Sequence, residues 1–209
     1  MKRMLYLTAI LGAAAFLLAV ITMTSRIGYE SAEYRVIRSE GKFEIREYPE
    51  LVLAATNSRL SAKGRDGSFM RLFRYISGAN QRGAKIAMTT PVFMEGSLQS
   101  SNVAMGFVLP KDITAAEAPV PSSEDVRLRT RESGKFAVVR FSGSLDSDSA
   151  SKQEKSLRQW MAMQSIRGDG TAEAAGYDPP FTPGPLRRNE ILIRIKEANP
   201  TSSSASNPS

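Results

Sequence analysis

The chain has 209 residues, a net charge of +7 and a sequence isoelectric point near 9.8. It contains neither cysteine nor histidine. That excludes disulfides, thiolate or imidazole metal ligands, and every Ser-His-Asp or Cys-His catalytic arrangement. With 42% hydrophobic and 23% charged residues, the composition is that of a globular domain with a real core.

Met1-Lys2-Arg3 precede an uncharged run over 4–25, whose apolar part, 5–23, approaches the ~20 residues that span a bilayer. The run is longer than a secretory apolar region and ends without a small-x-small site. Residues 1–25 therefore read as an uncleaved membrane anchor, with a cleaved signal peptide as the alternative. Lys2 and Arg3 keep the N-terminus in the cytoplasm and place the rest on the extracytoplasmic, periplasmic side. Residues 26–33 are expected to be a linker and 34–198 one domain. The Ser-, Asn- and Pro-rich tail 199–209 is too polar to order itself.

Within the domain, 34–38 and Phe43–Tyr48 read as strands around a turn at Gly41, and Leu51 opens a third. In 61–77, Phe69, Leu72, Phe73 and Ile76 fall at i, i+3, i+4 and i+7, the stripe of a helix that packs on a sheet. Asp66, Met70 and Arg74 form an adjoining row that faces solvent or a groove. Gly78 stops the helix, and 80–83 turns the chain. Residues 85–94 and 103–109 read as strands, the first limited in its pairing by Pro91.

The stretch 110–125, with Pro119 and Pro121, reads as a loop. Val126, Leu128 and Thr130 alternate with Arg127, Arg129 and Arg131, the pattern of a half-buried strand; a hairpin turn at Ser133-Gly134 leads to a strand over 136–141. Asp148 or Ser149 is expected to cap a second helix running to about 166, with Leu157, Trp160, Met161 and Gln164 at helical spacing. A Gly-Asp-Gly turn at 168–170 precedes strands over 172–177 and 189–196, the latter carrying Ile191, Ile193 and Ile195 on one face. The order strands–helix–strands thus occurs twice. It predicts an α+β domain of two similar halves, antiparallel, with two helices outside.

From Arg59 to Lys85, seven basic residues stand against Asp66 alone. Such a stretch is either a solvated helix face or an attractor for a carboxylate ligand or a lipid phosphate. No nucleic-acid motif accompanies it, so no nucleic-acid partner is expected. Glu44, Glu47 and Glu190 sit on strands and read as solvated carboxylates rather than catalytic ones.

Tyr75-Ile76-Ser77-Gly78-Ala79-Asn80, followed by Lys85-Ile86-Ala87-Met88-Thr89-Thr90-Pro91-Val92, closely resembles the signature of the SOUL/haem-binding protein family. Gly106-Phe107-Val108-Leu109-Pro110, Ala175-Gly176-Tyr177-Asp178-Pro179-Pro180-Phe181 and Arg187-Arg188-Asn189-Glu190 match the family in the same order, so the resemblance covers 34–196. It implies a distorted antiparallel β-barrel of about eight strands with two flanking helices. It also implies non-catalytic, reversible binding of haem or a related tetrapyrrole beside the first helix, with apolar contacts to the ring and basic side chains near the propionates. The family's basic position before the Tyr corresponds to Arg74, and the bulky apolar residue before that is Phe73. A further basic position one to two turns upstream is occupied here by Asp66. Met70, Met88 and Met94 are candidates to pack on the ring, and Arg71 lies in the same basic stretch.

The candidate cofactor contacts are therefore Arg74, Phe73, Met70, Arg71 and Met88, in a monomer without histidine ligation of the iron. The physics agrees, because a planar dicarboxylate suits an arginine fork beside apolar side chains. The alternative is a membrane-associated module that binds a protein or an anionic lipid through the basic helix region.

Overall fold

The structure, a computed structural model, describes Gly12 and residues 29–60, 66–98, 102–179 and 181–196. The expected anchor, apart from Gly12, and the expected tail lie outside the described residues. Among those described, no helix is long and apolar enough to cross a membrane.

The strands are β1 (Glu30–Ser31), β2 (Arg35–Glu40), β3 (Phe43–Tyr48), β4 (Leu51–Ser58), β5 (Thr89–Thr90), β6 (Val92–Glu95), β7 (Val103–Val108), β8 (Arg127–Arg131), β9 (Gly134–Phe141), β10 (Gly168–Gly176) and β11 (Asn189–Ile195). Helix α1 (Ser68–Ile76) lies between β4 and β5, and α2 (Ser147–Met163) between β9 and β10. Nine strands form one sheet in the order β2-β3-β9-β11-β10-β6-β7-β4-β8, with every ladder antiparallel.

The connections force this sheet to curl. Two residues join β3 to β4, and two join β8 to β9. In the sheet, β3 stands second and β4 eighth, while β9 stands third and β8 ninth. Six steps of ~4.8 Å would hold such strands about 29 Å apart in a flat sheet. Three residue steps reach only about 10 Å. The two edges therefore approach each other at the end where these connections lie. The α+β architecture, a large antiparallel sheet with two helices, matches the expectation; among the described residues β2 and β8 are the outer strands of the curled sheet.

Several expected elements differ. Ser133-Gly134 does not turn a hairpin, because β8 pairs with β4 while β9 pairs with β3 and β11. Residues 85–88 belong to no strand; Pro91 has no N–H to donate, and the ladder to β7 begins at Val92. Gly168-Asp169-Gly170 belongs to β10 as a register shift rather than forming a separate turn. Within the expected linker, Glu30 and Ser31 pair in parallel with Thr89 and Thr90. The cap of α2 is Asp146, earlier than expected. Its carboxylate accepts from Ser149 N at 3.0 Å, and Ser149 Oγ accepts from Asp146 N at 3.1 Å, a reciprocal box that satisfies two otherwise orphaned donors.

Both faces of the sheet are buried. The outer face packs under α1, on β4 and β7, and under α2, on β9, β10 and β11. Ile191 and Ile193, fully buried, and half-buried Ile195 lie on it as expected, with Leu157, Trp160 and Met161 of α2 against them. The Trp160 ring stacks on Phe43 at 5.1 Å and 3°. The inner face, inside the curl, carries Tyr48, Leu53, Phe93, Phe136, Val138 and Leu192.

Candidate functional site: an apolar helix face with an arginine

Helix α1 starts at a pinned turn. Asp66 Oδ1 accepts from Ser68 N at 3.1 Å and its Oδ2 from Arg59 N at 3.0 Å, while Gly67 holds the left-handed φ of 82° that the entry needs. Burial raises the Asp66 value, yet these hydrogen bonds outweigh it and hold the carboxyl below its ordinary range. Asp66 thus precedes the helix and does not continue the Met70–Arg74 row.

Leu72, Tyr75 and Ile76 are buried toward the sheet. Met70, Phe73 and Arg74, at i, i+3 and i+4, share the outward side, with Met70 47% and Phe73 42% exposed. The expected core stripe is therefore narrower than predicted, because Phe73 leaves it. Its ring stacks on half-buried Phe69 at 6.1 Å, and Phe69 meets Phe107 edge-on at 5.2 Å. An aromatic row thus runs from the core to the surface and ends beside an arginine.

Two of the five candidate contacts do not join this face. Arg71 turns to the end of β4, donating to Thr56 Oγ1 at 3.0 Å and to Asn57 O at 2.7 Å. Met88 is half-buried against the outer core. The basic stretch is likewise partly structural, since Arg82 donates to Glu117 O at 2.9 Å.

The segment after α1 is scaffolding. The buried side chain of Asn80 donates to Tyr75 O (3.1 Å) and Ala84 O (2.7 Å), and accepts from the backbone N–H groups of Arg82 (3.2 Å) and Ala84 (3.0 Å). Tyr75 OH donates to Pro119 O at 2.8 Å, and Gln81 N to Val120 O at 2.9 Å, fastening the proline loop to the helix end. Gly78 makes the exit at φ 116°; a Cβ there would stand 3.3 Å from Gly83 O.

The inner face holds charges that the sequence reading placed in solvent. Glu190 and Arg46 are fully buried and paired twice, Nη1 to Oε2 at 2.7 Å and Nη2 to Oε1 at 2.9 Å. Glu190 also accepts from Arg188 (Nε 2.9 Å, Nη2 2.7 Å) and from Tyr177 OH at 2.9 Å. Arg46 donates further to Glu44 at 2.6 Å and to Tyr48 OH at 3.1 Å, and lies 4.2 Å from the Tyr34 ring centre. Burial works against the charge on Arg46, but Glu190 prevails and raises its value. Burial pushes Tyr48 up to about 12 and Tyr177 well above its ordinary value. Arg131 is buried among the rings of Phe93, Phe136 and Tyr48 and bonds Glu173 at 2.8 and 3.0 Å.

At Glu44, burial raises the value, while Arg46 and Arg140, the latter at 2.7 Å, lower it by more, leaving it below the ordinary 4.5. A depressed carboxyl contributes stability that is whole above its unfolded value and lost as pH falls through its folded one. Glu44→Gln should flatten the acid limb of the stability–pH curve below about pH 4.5. Superimposable acid limbs for the two proteins would remove Glu44 from this role.

The profile of the SOUL heme-binding protein family matches residues 29–194. The chain belongs to that family. The SOUL domain is 28% identical over 176 residues to heme-binding protein 1 of Xenopus tropicalis, covering 78% of this chain and 91% of the relative. It is 28% identical over 175 residues to heme-binding protein 2 of Homo sapiens, covering 77% and 81%. A crystal structure of a hydrolase from Listeria innocua shares its fold, with a TM-score of 0.56, 12% identity and coverage of 77% of this chain and 94% of that one. Two cavities of the SOUL domain, of about 990 and about 300 Å³, lie at the strand ends, and no residue of α1 lines either. The α1 site is the outward face that presents Met70, Phe73 and Arg74.

Proposed function

We propose that this SOUL domain binds haem or a related tetrapyrrole reversibly on the outward face of α1. The observation that carries the reading is the exposure of Met70 and Phe73 on the side of the helix that also presents Arg74. Two curated relatives are heme-binding proteins, which supports the same ligand. The ligand supplies a flat apolar ring and two carboxylates. Phe73 and Met70 cover apolar surface, continuing the row begun by Phe107 and Phe69, and the Arg74 fork pairs with a carboxylate.

With no histidine or cysteine in the chain, neither imidazole nor thiolate holds the iron. The domain acts as a non-catalytic carrier, buffer or sensor. It works as a monomer, tethered outside the cytoplasmic membrane by the N-terminal apolar segment.

Hemin titrated into the protein should give a saturable absorbance change of micromolar order. Arg74→Glu should weaken binding about tenfold, replacing an attraction by a repulsion at a half-open site. A linear, unsaturable response, or one unchanged in Arg74→Glu, would overturn the assignment.

A further inference from the structure

The larger cavity, about 990 Å³, sits at the upper end of the ~300–1,000 Å³ typical of ligand sites. It opens where the strand ends of β2, β3, β9, β10 and β11 meet, away from α1. The half-buried ring of Tyr34 and the buried ring of Tyr48, 5.2 Å apart, belong to its lining. Two of its carboxylates are already neutralised. Glu47 pairs with Arg35 at 2.5 Å, and Glu33 with Lys111 at 2.9 Å. Arg194 and Lys196 have no acidic partner among the described residues, and Asp169 stands as the remaining acid of the wall.

Arg194 is also held in place. It donates to Ser133 O and Glu132 O, both at 2.8 Å, and its guanidinium lies 4.6 Å from the Phe136 ring centre. That position exists because residue 134 is glycine, since a Cβ there would come within 2.3 Å of Arg194 Nη1. A guanidinium fixed in this way keeps further N–H donors available without an ordering cost on binding.

We infer that this cavity is a second binding site, which takes a small aromatic anion between the half-buried Tyr34 ring and the Arg194–Lys196 pair. The accessible part of the Tyr34 ring, backed by buried Tyr48, favours a flat ligand, and the preset arginine with its exposed lysine neighbour favours a sulfonate, carboxylate or phosphate group on it.

The test is calorimetric titration of the full chain with naphthalene-1,5-disulfonate, a rigid aromatic dianion. Saturable binding is expected. Lys196→Glu, on the exposed rim, should weaken it about three- to tenfold. Gly134→Ala should weaken it comparably by displacing the flexible end of Arg194 while leaving the charge count unchanged. Arg74→Glu should leave it untouched. Absence of saturation, indifference to both cavity variants, or loss in Arg74→Glu would each overturn the proposal. The last result would place the anion on α1 instead.

Discussion

Replacing Glu190 by glutamine should lower folding stability by about 3–5 kcal/mol, the cost of leaving buried charge without its partner. The loss would appear as a lower urea midpoint at unchanged slope. Glu190 receives two hydrogen bonds from Arg46, two from Arg188 and one from Tyr177 OH. Glutamine keeps the shape but withdraws the charge and turns an amide N–H₂ toward a guanidinium. Arg46 then retains Glu44, whereas the Arg188 guanidinium keeps its hydrogen bond to Tyr34 OH and loses its bonds to the Glu190 carboxylate. Glu47→Gln is the control, because its pair with Arg35 lies in solvent and is worth at most about 1 kcal/mol. If the two substitutions cost the same, the inner network contributes nothing beyond surface pairing.

Asn80→Ala should cost about 2–4 kcal/mol. The side chain makes four hydrogen bonds, each worth about 1 kcal/mol, and its loss strands backbone groups at a buried turn. Gln81→Ala, one residue along and exposed, should be nearly neutral. Urea melts of both variants measure this, and hemin titration separates scaffold from contact. Asn80 holds the end of α1 and its proline loop rather than the ligand. Unchanged stability with lost hemin binding would reverse that assignment and make Asn80 part of the binding face.

These results bear on what the sequence discloses. The outer face was legible because apolar spacing reports a face that meets apolar partners. Ile191, Ile193 and Ile195 fell where alternation placed them, as did Leu157, Trp160 and Met161 at helical spacing. The inner face was not legible, since its inward residues include Glu44, Arg46, Arg129, Arg131 and Glu190. Alternating charge ordinarily marks solvent, and only the folded chain brings Arg46 to Glu190, 144 residues away. One signal was available: Arg46-x-Tyr48 and Arg188-x-Glu190 put charges and a ring on the face opposite an already apolar one. The two-residue link at 132–133 misled in a similar way, because a short connection reads as a hairpin until the sheet is seen to curl.

At the candidate site, helical period set Met70 and Arg74 in one row but assigned Phe73 to the core stripe; its outward turn onto Phe69 shows only in the folded chain. The direction of Arg71 depended on Thr56 and Asn57, whose approach to the helix is a tertiary fact.

The paired charges of the inner face also act as a proofreader of strand alignment. Strand β11 lies between β9 and β10, and a slip by one position would swap its two faces. Ile191 would then enter the cage of Arg46 and Arg188, and Glu190 would be pressed beneath the aromatic floor of α2. Every misthreaded arrangement would thus entomb lone ions, so the energetic gap separating the correct weave from its near neighbours is wider than greasy contacts alone would make it.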